Sequence, residues 1–145
     1  MGPELFDAVE ALLVGAVPSH VTVHDTDASA AASDGAQYPF LVLSGGVPRQ
    51  YGDAVGFCRD EATTLVRVTH TALDPGQVRV LMRATRGVLE GASPVVAGWH
   101  GLELDIEDSS GVDVDRDVKI LNNTSTAHPF YGVDIYRVRA TRRKE

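Results

Sequence analysis

The chain has 145 residues, enough for one domain whose core needs neither disulfides nor metals to hold it. Its 43% hydrophobic and 23% charged residues exclude wholesale disorder, and 20 Asp plus Glu against 13 Lys plus Arg, net −7, exclude a protein held on nucleic acid mainly by phosphate contacts. The single cysteine, Cys58, excludes an intramolecular disulfide framework and a Cys-rich zinc site.

The opening MGPELFDAVEALLVGAV places acids where a signal peptide needs a basic region, and no apolar run reaches the length of a membrane span, so a soluble, non-secreted protein without membrane contact is expected. Leu5, Phe6, Val9, Leu12, Leu13 and Ala16 recur at helical spacing. Pro3 suits the first helical position, Glu4 and Asp7 suit the positive end of the dipole, and Gly15 and Pro18 stop the helix. HVTVH (20–24) reads as a short strand, and DTDASAAASDGAQ, which has no periodicity, as a surface loop. YPFLVL (38–43) is apolar on both faces and too short for a helix, which predicts a central strand. The Gly-rich stretch 44–62 reads as a long excursion loop, and it carries Tyr51 and Phe57, which a purely solvating loop does not need. TTLVRVTHTA alternates, with Val66, Val68 and Ala72 on one side and Arg67, Thr69 and Thr71 on the other.

DPGQVRVLMRATRGVLEG has the strongest helix signals: Asp74 as N-cap, Pro75 at the first position, Gln77 three residues on, and Gly91 with Pro94 as terminators. Val78, Leu81, Met82, Thr85, Val88 and Leu89 make its apolar stripe, and Arg79, Arg83 and Arg86 make a basic stripe on another face. ELDIEDSSGVDVDRD (103–117) then places seven acids and one base around a Ser-Ser-Gly turn. Its period-two alternation predicts a two-stranded ribbon with Glu103, Asp105, Glu107, Asp113, Asp115 and Asp117 on one face. Like charges directly opposite one another are unfavourable, so such a face is either crowded solvated surface or is aimed at something outside the chain. YGVDIYRVRA is the last strand, and 137–145 forms a basic C-terminal tail.

No phosphate-binding glycine loop, HExxH, CxxC or GxSxG occurs. Asp113, Asp115 and Asp117 match the opening of a calcium loop, but Val118 stands where glycine is required and Thr124 where glutamate is. His20 and His24 on a strand are about 13 Å apart, too far to share an ion. No catalytic residue, metal ligand or cofactor site is therefore expected. The element pattern α-β-β-β-α-β-β-β predicts an α+β fold, a single domain over residues 1–145 with an antiparallel or mixed sheet and two helices packed on one face.

The order of these elements, an amphipathic N-terminal helix, a short strand, an Ala-rich loop, the YPFLVL strand, a long excursion, an alternating strand, the second helix and a β-rich C-terminus, resembles the tail terminator proteins of long-tailed (siphovirus-type) bacteriophages. The resemblance covers most of the chain and rests on architecture and size. It implies a non-enzymatic virion protein of the tail-neck region, present in the host cytoplasm during assembly. Such a subunit forms a hexameric ring that caps the tail tube, stops its growth and offers a head-joining surface. The implied partners are further copies of the chain, the major tail tube protein and a head-completion or neck protein, with a tape measure protein as a further contact. DNA would only pass through in transit. In such a ring the acidic residues either line a lumen that repels DNA or meet Arg79, Arg83 and Arg86 of a neighbour. The alternatives are a head-closure or tail-completion protein of the same particle, and a small cellular α+β ligand-binding module, which would need a concave pocket with convergent polar groups.

Overall fold

The computed structural model describes residues 2–26, 38–45, 49–51, 61–121 and 126–142. Helix α1 (Gly2–Ala16) buries Leu5, Val9 and Leu13, which are spaced by four and so lie on one stripe. Helix α2 (Pro75–Leu89) starts as its sequence requires: Asp74 is extended, and its carboxylate accepts from the Gln77 backbone N–H at 3.1 Å. Val78, Leu81, Met82, Thr85 and Leu89 are its buried face. The helix stops in a turn at Gly91, whose φ of +77° disfavours any residue with a Cβ.

The strands are β1 (Thr22–Asp25), β2 (Phe40–Gly45), β3 (Arg49–Tyr51), β4 (Glu61–Ala72), β5 (Trp99–Ser109), β6 (Asp113–Val114), β7 (Ile120–Leu121), β8 (Thr126–Ala127) and β9 (Phe130–Arg142). One mixed sheet runs in the order β1-β2-β4-β9-β5, with β3 also on β4 and β6 also on β9, while β7 and β8 form a separate pair. Only β1–β2 is parallel in the main sheet. The architecture is the expected α+β one, with two helices and a mixed sheet.

The β4–β9 ladder sets Val66 opposite Tyr136, Val68 opposite Asp134 and Thr64 opposite Val138. All six are buried, and they face the helices. The intervening positions Leu65, Arg67, Arg137 and Arg139 are exposed on the opposite, open face. α1 and α2 lie beside each other, α1 against β1 and α2 against β4 and β9. Leu5, Val9 and Leu13 of α1, Leu81 and Leu89 of α2, and Leu41, Leu43, Val66, Leu104 and Tyr136 of the sheet belong to one core. Gly132 lets α2 close on β9, since a Cβ there would overlap the Met82 Sδ.

Three expectations need correction. The acidic ribbon does not form: β5 and β6 each pair with β9 and not with one another. The excursion is not wholly loop, because Arg49–Tyr51 pairs with Glu61–Thr63 at the start of β4. The last strand, expected over 131–140, runs on through Thr141 and Arg142 of the basic tail and is paired on both sides, by β4 and by β5.

A polar cluster sits between α2 and the sheet. His70 is fully buried, with Nδ1 3.1 Å from the Gly132 carbonyl and Nε2 2.6 Å from Thr85 Oγ1. A carbonyl can only accept, so the neutral ring carries its proton on Nδ1 and leaves Nε2 as an acceptor for the Thr85 hydroxyl, whose single proton is shared between Nε2 and the Met82 carbonyl at 3.2 Å. Burial holds the imidazole pKa below its ordinary value, against the opposing pulls of the Gly132 bond and Asp134, with Arg86 adding to the lowering. The sign follows from linkage: below about pH 6.5 the unfolded chain takes up a proton that the folded chain refuses, so stability falls as pH falls. Urea midpoints between pH 7 and pH 5 should drop with a His70 contribution of up to about 1.4 kcal/mol per pH unit. His70→Gln should flatten that part of the profile; an unchanged profile in the variant would contradict the neutral, buried assignment.

Candidate functional site

The first six candidate residues separate into two groups. Glu103 on β5 lies opposite Arg139 of β9, and Asp105 opposite Arg137. Glu107 falls at a register irregularity between Ile106 and Asp108, and its carboxylate pairs with the Arg137 guanidinium. Opposite charges thus stand across strands from one another within the chain, which is the favourable placement, and of these the Glu107–Arg137 pair is in direct contact. Together with Ile106 these side chains line a shallow groove of about 450 Å³ on the open face of the sheet.

Asp113 lies opposite Tyr131, which shares its face of β9 with Arg137, so it lies on the open face as well. Six residues of strand separate those two β9 positions, a distance of about 20 Å. Asp115 is half-buried near Tyr38, whose hydroxyl is pushed up to about 12, first by burial and then by the Asp115 charge. Asp117 is exposed and its backbone N–H donates to the Asp115 carboxylate at 3.2 Å. Among the described residues no Lys or Arg forms an ion pair with these three acids.

The arginine stripe also divides. Arg86 grips Asp134 side-on, Nε to Oδ2 at 2.9 Å and Nη2 to Oδ1 at 2.7 Å. The Ser109 hydroxyl donates to the same carboxylate at 2.6 Å, and Asp134 is completely buried. Asp134 and hydrogen bonding hold Arg86 even more firmly protonated than usual. Its charge is answered by the buried Asp134, although the arginine side chain itself is partly exposed and borders the groove beside α2. Arg79 and Arg83 are exposed and, among the described residues, form no ion pair. With Met82, Ser110, Gly111 and Val112 they line a second groove of about 380 Å³ along the flank of α2.

Tyr51 lies on β3 through its backbone register with Glu61, and Phe57 lies outside the described residues. Cys58 does too. Neither groove is lined by histidine, cysteine or lysine. Among the described residues no three His, Cys, Asp or Glu side chains gather as they would around a metal, and no helix is long and apolar enough to cross a membrane. The arrangement is suited to charge recognition at surfaces. Reasoning from the sequence missed Asp134 and Ser109; the one signal was for Asp134, the lone charge among the alternate positions Gly132, Asp134, Tyr136, Val138 and Ala140 of the last strand.

The two kinds of ion pair should be separable by mutation. Arg86→Leu strands a buried carboxylate and should destabilise by on the order of 3 kcal/mol. The double variant Arg86→Met with Asp134→Leu should recover most of that loss. Arg137→Ala, which breaks a partly exposed pair, should cost less than about 1 kcal/mol. Urea denaturation of the three variants measures this, and equal losses for Arg86 and Arg137 would contradict the assignment of Asp134 as the buried partner.

The sequence matches no described protein family and no curated protein. In three dimensions the chain is similar to a chain in the solved virion of a native gene transfer agent (GTA) particle. The two align with a TM-score of 0.61 over 95% of this chain and 95% of that one, at 14% sequence identity. At that identity the likeness is one of fold.

Proposed function

We propose that this chain is a structural, non-enzymatic virion protein that acts as a tail terminator, forming a ring that caps the tail tube and presents the head-joining surface. The observation that carries the reading is the likeness, over nearly the full length of both chains, to a subunit of a phage-like virion. The element order that resembles tail terminators supports the finer assignment independently, since it rests on the sequence. The two grooves add to it: both are shallow and lined by charged side chains, which suits contacts between large surfaces better than capture of a small substrate.

In this reading the subunit is hexameric, sits in the tail-neck region of the virion, and touches the major tail tube protein, a head-completion protein and the tape measure protein. DNA passes the lumen without specific contacts. Asp113, Asp115 and Asp117 are the acids suited to repel it, because Glu103, Asp105 and Glu107 lie alongside Arg137 and Arg139, which offset much of their charge. The part of the excursion between β2 and β4, with Tyr51 and Phe57, serves as an arm toward the tube or a neighbour.

Deleting the gene should give filled heads together with tails of uncontrolled length, or tails unable to join heads, visible by negative-stain microscopy. Purified protein should bind the end of isolated tail tubes. Tails of normal length that merely lack heads would assign the chain to head closure instead, and normal infectious particles would remove it from the virion altogether.

A further inference from the structure

Charge is distributed along this chain with a strong polarity. The first 48 residues contain six acids (Glu4, Asp7, Glu10, Asp25, Asp27 and Asp34) and no lysine or arginine; all 13 basic residues come later. The later residues are mixed in charge, 14 acids with 13 bases, but the fold gathers arginines without acids on one helix surface, that of α2. β1 is one edge strand of the main sheet and carries α1 against it, while β5 is at the other end of the strand order, beyond β9 and α2. The exposed stripe of α1 runs through Glu4, Asp7, Ala11 and Val14, spaced by three and four, with Val14 57% exposed. Asp25 at the end of β1 is exposed as well.

The far flank has the opposite character. α2 has no acid between Pro75 and Leu89. Arg86 is turned down to Asp134 and Ser109, which fixes the arginine side of the helix toward β9 and β5. Arg79 and Arg83 stand beside it over the groove closed by Ser110, Gly111 and Val112, and Val80 is 67% exposed on the same helix. Each flank therefore offers an exposed valine beside charges of one sign, and the signs are opposite.

We propose that the α1–β1 flank of one copy docks on the α2 groove of the next, Glu4 and Asp7 facing Arg79 and Arg83 of the neighbour. Two different patches on opposite sides of the subunit make a head-to-tail contact, which closes into a ring when the rotation permits. This inference rests on the ring reading above and specifies its subunit contact. It replaces the acids of β5 as partners for the arginine stripe, since those already face Arg137 and Arg139. Charge pairing at such a contact sets register and speeds encounter, and it weakens with salt.

The test uses the full chain, with mass photometry and sedimentation velocity, alone and with isolated tail tubes. One variant carries Arg79→Glu and Arg83→Glu, making both flanks acidic; the second carries Glu4→Lys and Asp7→Lys, making both basic. Arg79 and Arg83 lie on exposed helix surface, so that variant should match the parent in circular dichroism and thermal midpoint. Glu4 and Asp7 also complement the N-terminal end of α1, so their reversal should lower the midpoint modestly, and circular dichroism checks that the helix persists. Each variant alone should self-associate about tenfold more weakly or worse. An equimolar mixture should assemble again, because an acidic flank then meets a basic one. The neutral variant Arg79→Gln with Arg83→Gln should lie between and lose most of its salt dependence. If either reversed variant assembles like the parent, or the mixture stays dissociated while the parent forms rings, the flank pairing is overturned and the ring reading stands. If the parent remains monomeric at all concentrations and on tubes, both are overturned.

Discussion

The antiparallel ladder between β4 and β9, continuous from Glu61 opposite Thr141 to Ala72 opposite Phe130, is the constraint on which the rest of the molecule depends. Side chains alternate across a strand, so this one register decides what faces the helices and what faces outward. A slip of one residue would expose Val66, Val68, Tyr136 and Val138 and turn Arg67, Arg137 and Arg139 inward. It would also part His70 from Gly132 and Asp134 from Arg86. The hydrophobic pattern and the polar pairs select the same register, which is the agreement between local and global preferences expected of a uniquely folded chain.

The polar groups beneath α2 add positional specificity to a core that is otherwise aliphatic. Leucine and valine faces tolerate small shifts of a helix along a sheet, but the His70–Thr85 and Arg86–Asp134 pairs do not. Tyr136 is the odd member: it is buried, its hydroxyl finds no hydrogen-bond partner among the described residues, and burial, followed by the Asp134 charge, raises its pKa. The ring fills core volume and the hydroxyl contributes no bond to offset its desolvation. By contrast the Glu107–Arg137 pair on the open face is partly exposed and contributes little to stability. Its effect is on character, since it makes that end of the open face close to neutral.

Helix α2 was legible because its signals are local: a cap at Asp74, Pro75 beside it, a stripe at helical spacing and a glycine stop. The parity of β4 was legible for the same reason. What the sequence concealed is pairing. Alternation in 103–117 states which side chains share a face of a strand but not which strand lies alongside, and the Ser-Ser-Gly turn favours the nearest partner. The actual partner is β9, whose Arg137 and Arg139 look like the start of a solvated basic tail. Arg86 reads as one third of a surface stripe because its partner, Asp134, is 48 residues away. Composition and spacing do register the surplus of charge; they do not say whether a charge is answered within the fold or left for another surface.

The outer edge of β5 is closed by the chain that leaves α2: the Gly91 N–H donates to the Leu104 carbonyl at 2.7 Å, the Leu104 N–H to the Ala92 carbonyl at 2.9 Å, and the Ile106 N–H to Glu90 Oε2 at 2.8 Å. Such a cover blocks strand addition by another chain. The strand that needs most protection, however, is made last of those it joins. β9 lies between β4 and β5, and both leave the ribosome before it. Until β9 arrives, β4 presents a long apolar edge with one side unpaired, and β5 has its cover but no sheet to belong to. Long-range pairing of this kind delays folding to a late stage of synthesis. The nascent chain is therefore most vulnerable to adhesion in the interval between the synthesis of β5 and that of β9.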